Sequence, residues 1–128
     1  MKTLLTISTL VFTVMFSSTS FAEWTKLARN AGGDDLYVDF ERIRKHSGYV
    51  YYWELLDRLK PSSSGDLSSK AYVQGDCELF RVKRLSYVFH KQPMGRDAGD
   101  SATDKNPEWH YPSPNSLNEI ILESVCSR

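Results

Sequence analysis

Short runs in which apolar and polar residues alternate dominate the chain and predict β-strands. The run Tyr49–Asp57 is largely apolar on both of its faces, which is typical of a central strand covered on two sides. Other strand-like runs lie at 23–28, 36–40, 108–111 and 69–92, the last of which breaks at Gly75 and Asp76. Residues 41–46 are polar around a single isoleucine, so we expect one helical turn or a wide loop there. Turn-forming residues predict loops at 60–66 and 93–107.

The last dozen residues change to a helical pattern. Ser116 and Glu119 have the spacing of a capping box, in which each side chain accepts a hydrogen bond from a backbone N–H at the start of a helix. Pro114 blocks a helix before them, and we predict a helix over 117–127 with Cys126 beside its apolar face. The fold class that follows is α+β, with a single, mainly antiparallel β-sheet and one C-terminal helix packed on it.

The start of the chain carries a different pattern. Residues 4–16 form an uncharged apolar stretch, and a Ser-Phe-Ala sequence soon after it places small side chains at the two positions that a signal peptidase reads. We therefore expect residues 1–22 to be a cleaved export signal, with cleavage between Ala22 and Glu23, and residues 23–128 to form one domain. A retained membrane anchor is the alternative, but the stretch is shorter than the ~20 residues of a spanning helix.

The charge balance narrows the range of partners. Lys and Arg together number 16 and Asp and Glu number 16, and a processed chain of 106 residues has a net charge of −1. This balance disfavours a strongly basic nucleic-acid binder.

Two cysteines, Cys77 and Cys126, allow one disulfide, and export places them in an oxidising compartment. Closing the separation of 49 residues contributes about 4 kcal/mol in the loop-entropy model. The bond would clamp the helix onto the sheet. A catalytic or metal-binding thiol pair is the alternative, but the spacing is unlike CxxC, and two cysteines alone cannot complete a tetrahedral zinc site.

Residues with catalytic chemistry do not form a known constellation. The three histidines lack the spacing that places two imidazoles on one helical face. His90 and Met94 resemble a pair of haem ligands, but no CxxCH attachment accompanies them. There is no GxSxG serine motif, and Asp34 and Asp35 lack the spacing of a calcium loop. We therefore expect no enzyme, no cofactor and no metal site.

Basic residues form two candidate contact surfaces. They are Arg42, Arg44 and Lys45 in the polar segment, and Arg81, Lys83 and Arg84 on the long strand. We prefer the second set, because a strand fixes the directions of its side chains and lowers the entropy lost on binding. Alternation sends Arg81 and Lys83 to one face and Arg84 to the other. Ordinary solvated charge is the alternative; as a binding site, the set suits an acidic glycan or a negatively charged protein segment better than duplex DNA.

Several scattered residues occur in an order that is similar to one known family. They are Trp24, Tyr37-Val38-Asp39 with Ile43 beyond, Trp53, Ser69-Lys70 ahead of Cys77, Pro93-Met94-Gly95, and Trp109 through Pro114, Ser116 and Cys126. In this order the chain resembles the surface-adhesin protein E family of Gram-negative bacteria. The resemblance implies a small exported domain whose antiparallel sheet carries a C-terminal helix tied by the disulfide. It also implies adhesion to host extracellular-matrix and serum glycoproteins, without a cofactor, and the capacity to form homodimers.

Two functions are open at this point. The first is an exported interaction protein that binds host glycoproteins or envelope macromolecules, and the second is a periplasmic small-ligand-binding or accessory protein with an apolar pocket. One helix covers only one side of a small sheet, so aromatic residues on the other side would form a dimer or ligand surface. A pocket lined by the strand at 49–56 separates the two hypotheses. No cysteine at the cleavage site offers a lipid anchor, so we expect a periplasmic or secreted protein without a transmembrane anchor.

Overall fold

The computed structural model describes residues 22–128, so the export signal predicted at 1–22 lies outside the described residues except for Ala22. Seven antiparallel strands form one sheet, and a single α-helix follows them in the described part of the chain. The elements are β1 (Thr25–Arg29), β2 (Asp35–Val38), β3 (Arg44–His46), β4 (Tyr49–Asp57), β5 (Ser68–Asp76), β6 (Arg81–His90), β7 (Asp100–Thr103) and α1 (Leu117–Cys126). The predicted fold class is therefore confirmed.

The order across the sheet is β1-β2-β4-β5-β6-β7, and β3 pairs with the start of β4. The strand predicted to be central is central: β4 lies between β2 and β5, and its pairing with β5 extends over its length, from Val50 opposite Gly75 to Asp57 opposite Ser68. Because side chains alternate between the two faces of a sheet, this register separates the residues beneath the helix from those on the opposite face.

The hydrophobic core lies between the sheet and the helix. Its buried members are Val38, Val50, Tyr52, Ala71, Val73 and Val82 from the strands, and Ile121, Leu122 and Val125 from α1. Gly75 sits directly under the helix, where a Cβ atom would lie 2.9 Å from Val50 Cγ1 and 3.1 Å from Leu122 Cδ1. The absence of a side chain at this position lets the helix approach β5. The run at 69–92 divides into two strands as predicted, but the turn lies at 77–80 and not at Gly75 and Asp76, because β5 continues through both residues.

The helix begins and ends nearly as the sequence predicts. The Ser116 hydroxyl oxygen accepts a hydrogen bond from the backbone N–H of Glu119 at 3.2 Å. The Glu119 carboxylate accepts from the N–H of Asn115, one residue before the expected partner, also at 3.2 Å. Cys77, in the turn between β5 and β6, is bonded to Cys126, with a Cα–Cα distance of 5.7 Å. The disulfide is thus confirmed and ties the end of α1 to the sheet.

Two short strands escaped prediction. A 3₁₀ turn at Phe40–Arg42 matches the expected helical turn, but β3 follows it at once, and β7 lies inside the segment expected to be a loop. Every residue of β3 and β7 is exposed. These edge strands are held by backbone pairing with a neighbouring strand, so they need no alternation of apolar side chains that a sequence pattern could reveal.

Candidate binding surface and cavity

Aromatic side chains occupy the sheet face opposite the helix. Trp53 on β4 lies 5.0 Å from Tyr72 on β5, and Tyr72 lies 6.1 Å from Tyr51, all measured between ring centroids. Tyr49 extends the row toward Trp109, whose ring centroid is 5.7 Å away. All five rings are half-buried. The helix covers the other face, which agrees with the expectation that one helix hides only one side of the sheet.

Two of the three preferred basic residues surround Trp109. The guanidinium carbon of Arg81 lies 4.2 Å from the Trp109 ring centroid, and the ammonium nitrogen of Lys83 lies 4.4 Å from it. The backbone of His110 fixes the segment that carries Trp109, because it exchanges two hydrogen bonds of 2.8 and 2.9 Å with Val82 on β6. We call Arg81, Lys83 and Trp109 the cationic-aromatic surface. Its two charges are held against a ring and keep fewer rotamers than free side chains would.

Asp76 anchors one side of this surface. Its carboxylate lies 2.9 Å from Nε of Arg81 and accepts hydrogen bonds from the backbone N–H groups of Glu78 and Leu79. Burial opposes ionisation, but the Leu79 N–H, Arg81 and the Glu78 N–H outweigh it and hold the pKa of Asp76 below its usual value.

Arg84, the third preferred residue, points to the opposite face, as alternation predicted. Its Nε donates to Glu54 at 2.9 Å and its Nη2 donates to Asn118 at 3.0 Å, so one guanidinium links β6, β4 and the helix. Burial lowers the pKa of Arg84, but the charge and hydrogen bond of Glu54 more than compensate and raise it. Arg84 is therefore separated from Arg81 and Lys83 by the sheet.

The other basic cluster does not form a single surface. Lys45 donates to the backbone carbonyl of Arg128, and Arg44 lies exposed on the short strand β3. Arg42 lies 3.4 Å from the buried carboxylate of Asp39 and lines a cavity on the sheet face opposite the helix.

The cavity has a volume of about 280 Å³, and Trp53 in its lining belongs to the strand at 49–56 on which the second functional hypothesis places a pocket. Its lining comes from the segments next to β1 and β2, from the 3₁₀ turn and from strands β4 to β7, and comprises Ala22, Trp24, Asp39, Arg42, Trp53, Lys70, Val88, Ala98 and Ser101. A neighbouring cavity of about 640 Å³ shares Ala22, Trp24, Arg42 and Lys70 and extends to Met94–Arg96. Apart from the strand at 49–56, only Lys70 gives a sign of this cavity in the sequence, because it is a charged residue within a strand-like run. The other lining residues are far apart along the chain, so no local pattern connects them.

The loop that walls the larger cavity is pinned to the sheet. The backbone N–H of Met94 donates to Asp57 at 2.8 Å, and that of Gly95 donates to the Ser68 hydroxyl at 2.8 Å. Gly95 has a positive φ of 61°, and a Cβ atom there would lie 2.5 Å from Lys70 Cε. The positive φ favours glycine at this turn, whereas the flexible end of the Lys70 side chain could move away from a Cβ atom.

His90 and Met94, which resemble a pair of haem ligands in the sequence, are not exposed side chains in the structure. His90 is 1% exposed, and its Nδ1 lies 3.0 Å from Asp97, while Met94 lies half-buried in the loop. Within residues 22–128, no group of three or more His, Cys, Asp or Glu side chains is placed to hold a metal ion. No helix in this same range has the length and apolar character needed to cross a membrane.

Comparison with solved structures gives the same fold in Haemophilus influenzae protein E. One crystal form matches with a TM-score of 0.63 and 15% sequence identity, over 84% of this chain and 89% of that one. A second structure, of protein E from non-typeable Haemophilus influenzae, matches with a TM-score of 0.59 and 15% identity over 86% and 79% of the two chains. A search of the curated proteins finds no match. The family model of surface-adhesin protein E matches residues 24–127, nearly all of the described chain, and the chain therefore belongs to the surface-adhesin protein E family.

Proposed function

We propose that this chain is an exported, non-enzymatic adhesion protein that binds matrix or serum glycoproteins through the cationic-aromatic surface. The observation that carries the proposal is the placement of Arg81 and Lys83 at 4.2 and 4.4 Å from the Trp109 ring centroid, on the sheet face that the helix leaves free. Membership of an adhesin family supports a binding role.

The chemistry of this surface suits recognition of a large, partly acidic partner. Arginine, tryptophan and tyrosine are the residue types that contribute most to protein interfaces, and Tyr111, 64% exposed, extends the surface beside Arg81. The two cations attract acidic groups, and their fixed positions lower the entropy lost on binding. Recognition of this kind requires neither a cofactor nor a metal.

Export by the signal at 1–22 places the domain where such partners occur. Protein sequence and family together favour a periplasmic, secreted or surface location over the cytosol.

The direct test is binding of the purified exported protein to immobilised matrix and serum glycoproteins in the presence of EDTA. Serum albumin, which is not a glycoprotein, serves as the negative control. We expect saturable binding to at least one glycoprotein that EDTA leaves unchanged. Binding to none of them, or binding no stronger than to albumin, contradicts the proposal.

The cavity favours the second candidate function, a periplasmic small-ligand-binding protein, because Trp53 of β4 lines it. Protease treatment of intact cells separates the two locations. Digestion of the protein on whole cells supports surface adhesion, and complete protection with digestion after outer-membrane permeabilisation supports a periplasmic role.

A further inference from the structure

We propose that the cavity between Trp24, Trp53 and Lys70 binds an acidic sugar, with its carboxylate at Lys70 and its ring against an indole. This site is separate from the cationic-aromatic surface and does not depend on it. The proposal goes beyond adhesion as such, since it assigns a ligand class to a second place on the same face.

Lys70 supplies the charge. It lies half-buried on β5, and within residues 22–128 its ammonium group makes no salt bridge and no hydrogen bond. Burial lowers the pKa of its ammonium group, Asp97 raises it, and Arg42 lowers it further. The ammonium group is partly desolvated and makes no salt bridge, so a bound carboxylate would stabilise it. The cavity is therefore suited to an anion.

Asp39 supplies an acceptor at the same cavity. Its side chain is 1% exposed, and Oδ1 accepts a hydrogen bond from the backbone N–H of Glu41 at 3.2 Å. Oδ2 lies 3.4 Å from Nε of Arg42 and accepts no hydrogen bond in the described structure. Buried carboxylate oxygens normally accept at least one. A ligand hydroxyl that donates to this oxygen would satisfy it, which favours a ligand with both a carboxylate and hydroxyl groups.

The rest of the lining combines apolar residues with the hydroxyl of Ser101. Val88 lies directly opposite Lys70 in the β5–β6 pairing, and Ser101 lies opposite Val88 in the β6–β7 pairing. Trp24 and Trp53 add two indole rings to the lining. An aromatic ring packs well against the C–H face of a pyranose, and a volume of about 280 Å³ is near the lower end of ligand pockets. Inorganic phosphate would leave these apolar walls unused.

The predicted cleavage of the export signal would change the lining of this cavity. Ala22 lines both cavities. The cleavage predicted after Ala22 removes this wall and creates an ammonium group on Glu23, next to the site. Both changes favour entry of an anion.

The test is calorimetric titration of the exported protein with sodium D-glucuronate, and with D-glucose as the neutral sugar of the same ring. We expect saturable binding of glucuronate and none of glucose at equal concentration. Lys70→Met should weaken glucuronate binding by about tenfold or more, the effect of removing a charge-assisted hydrogen bond. It should also raise the melting temperature, because a desolvated charge is removed. Lys105→Met removes an exposed lysine that lies outside both the cavity and the cationic-aromatic surface, and we expect it to leave glucuronate affinity unchanged.

Several results would overturn the proposal: no saturable binding of glucuronate, equal affinity for glucose, or an equal loss of affinity in Lys105→Met. If Lys70→Met does not fold, Lys70→Gln provides the same loss of charge with a polar side chain. Glycoprotein binding should persist in the Lys70 variants, so failure of the sugar site is distinguishable from failure of the adhesion proposal.

Discussion

At the scale of single residues, two arginines three positions apart perform different tasks. Arg81 lies beside Trp109 on the free face, whereas Arg84 is paired with Glu54 beneath the helix. The pattern of the strand predicted this division, because alternation needs only the local register. It could not reveal Glu54 as the partner, since residues 54 and 84 meet through the order of the strands.

The Arg84–Glu54 pair gives a prediction about stability. Arg84→Met leaves a carboxylate with 9% side-chain exposure without its cation, so we expect the free energy of unfolding to fall by about 3–5 kcal/mol. Arg84→Met with Glu54→Leu should recover most of this loss, because no buried charge is then left unpaired. Urea unfolding of both variants measures the difference. A double variant as unstable as the single one would show that the pair has another role.

Asp76 gives a prediction about how the stability of the protein depends on pH. Its pKa is lowered in the folded protein, so its contribution to stability is complete above the unfolded value of about 4 and is lost as the pH falls through the folded value. Asp76→Asn should be less stable than the wild type at pH 7 and should lose less stability between pH 7 and pH 3. Urea unfolding at the two pH values tests this. Parallel pH profiles for the two proteins would contradict it.

At the scale of elements, the disulfide and the apolar face of α1 hold the helix against the sheet and keep it folded. A helix of ten residues is marginal in isolation. Cys77→Ser with Cys126→Ser should reduce the free energy of unfolding by about 2–4 kcal/mol and raise amide hydrogen exchange in α1 before exchange in β4 and β5. The buried Leu122 and Val125 keep the helix docked at low temperature. Uniform exchange across helix and sheet would show that the disulfide does not limit fraying.

The strongly patterned elements could be predicted from sequence, and the site elements only in part. The central strand and the helix each carry a local signal, in apolar density for β4 and in the Ser116 cap for α1. β3, β7 and the cavity depend on which segments meet in space. Lys70 illustrates the limit: its charge is visible in the sequence, but Trp24 and Val88, which wall it in, come from distant segments.

At the scale of the whole molecule, we predict that removal of the export signal sets the beginning of the functional domain. We expect the exported protein to begin at Glu23, because a signal peptidase cuts after the small residue Ala22. Intact-mass measurement of the exported protein decides this. A mass that still includes residues 1–22, or that carries a lipid, would contradict it.

The role of the cationic-aromatic surface is tested by the association rate of the exported protein with a glycoprotein that it binds, measured at low and high salt. One double variant combines Arg81→Gln and Lys83→Gln. The control is a double variant that combines Lys60→Gln and Lys105→Gln, because both of these lysines are exposed on loops. We expect the Arg81/Lys83 variant to associate more slowly and with a weaker salt dependence, the control variant to be unchanged, and both variants to be folded. Equal association rates and salt dependence in the wild type and the Arg81/Lys83 variant would contradict it.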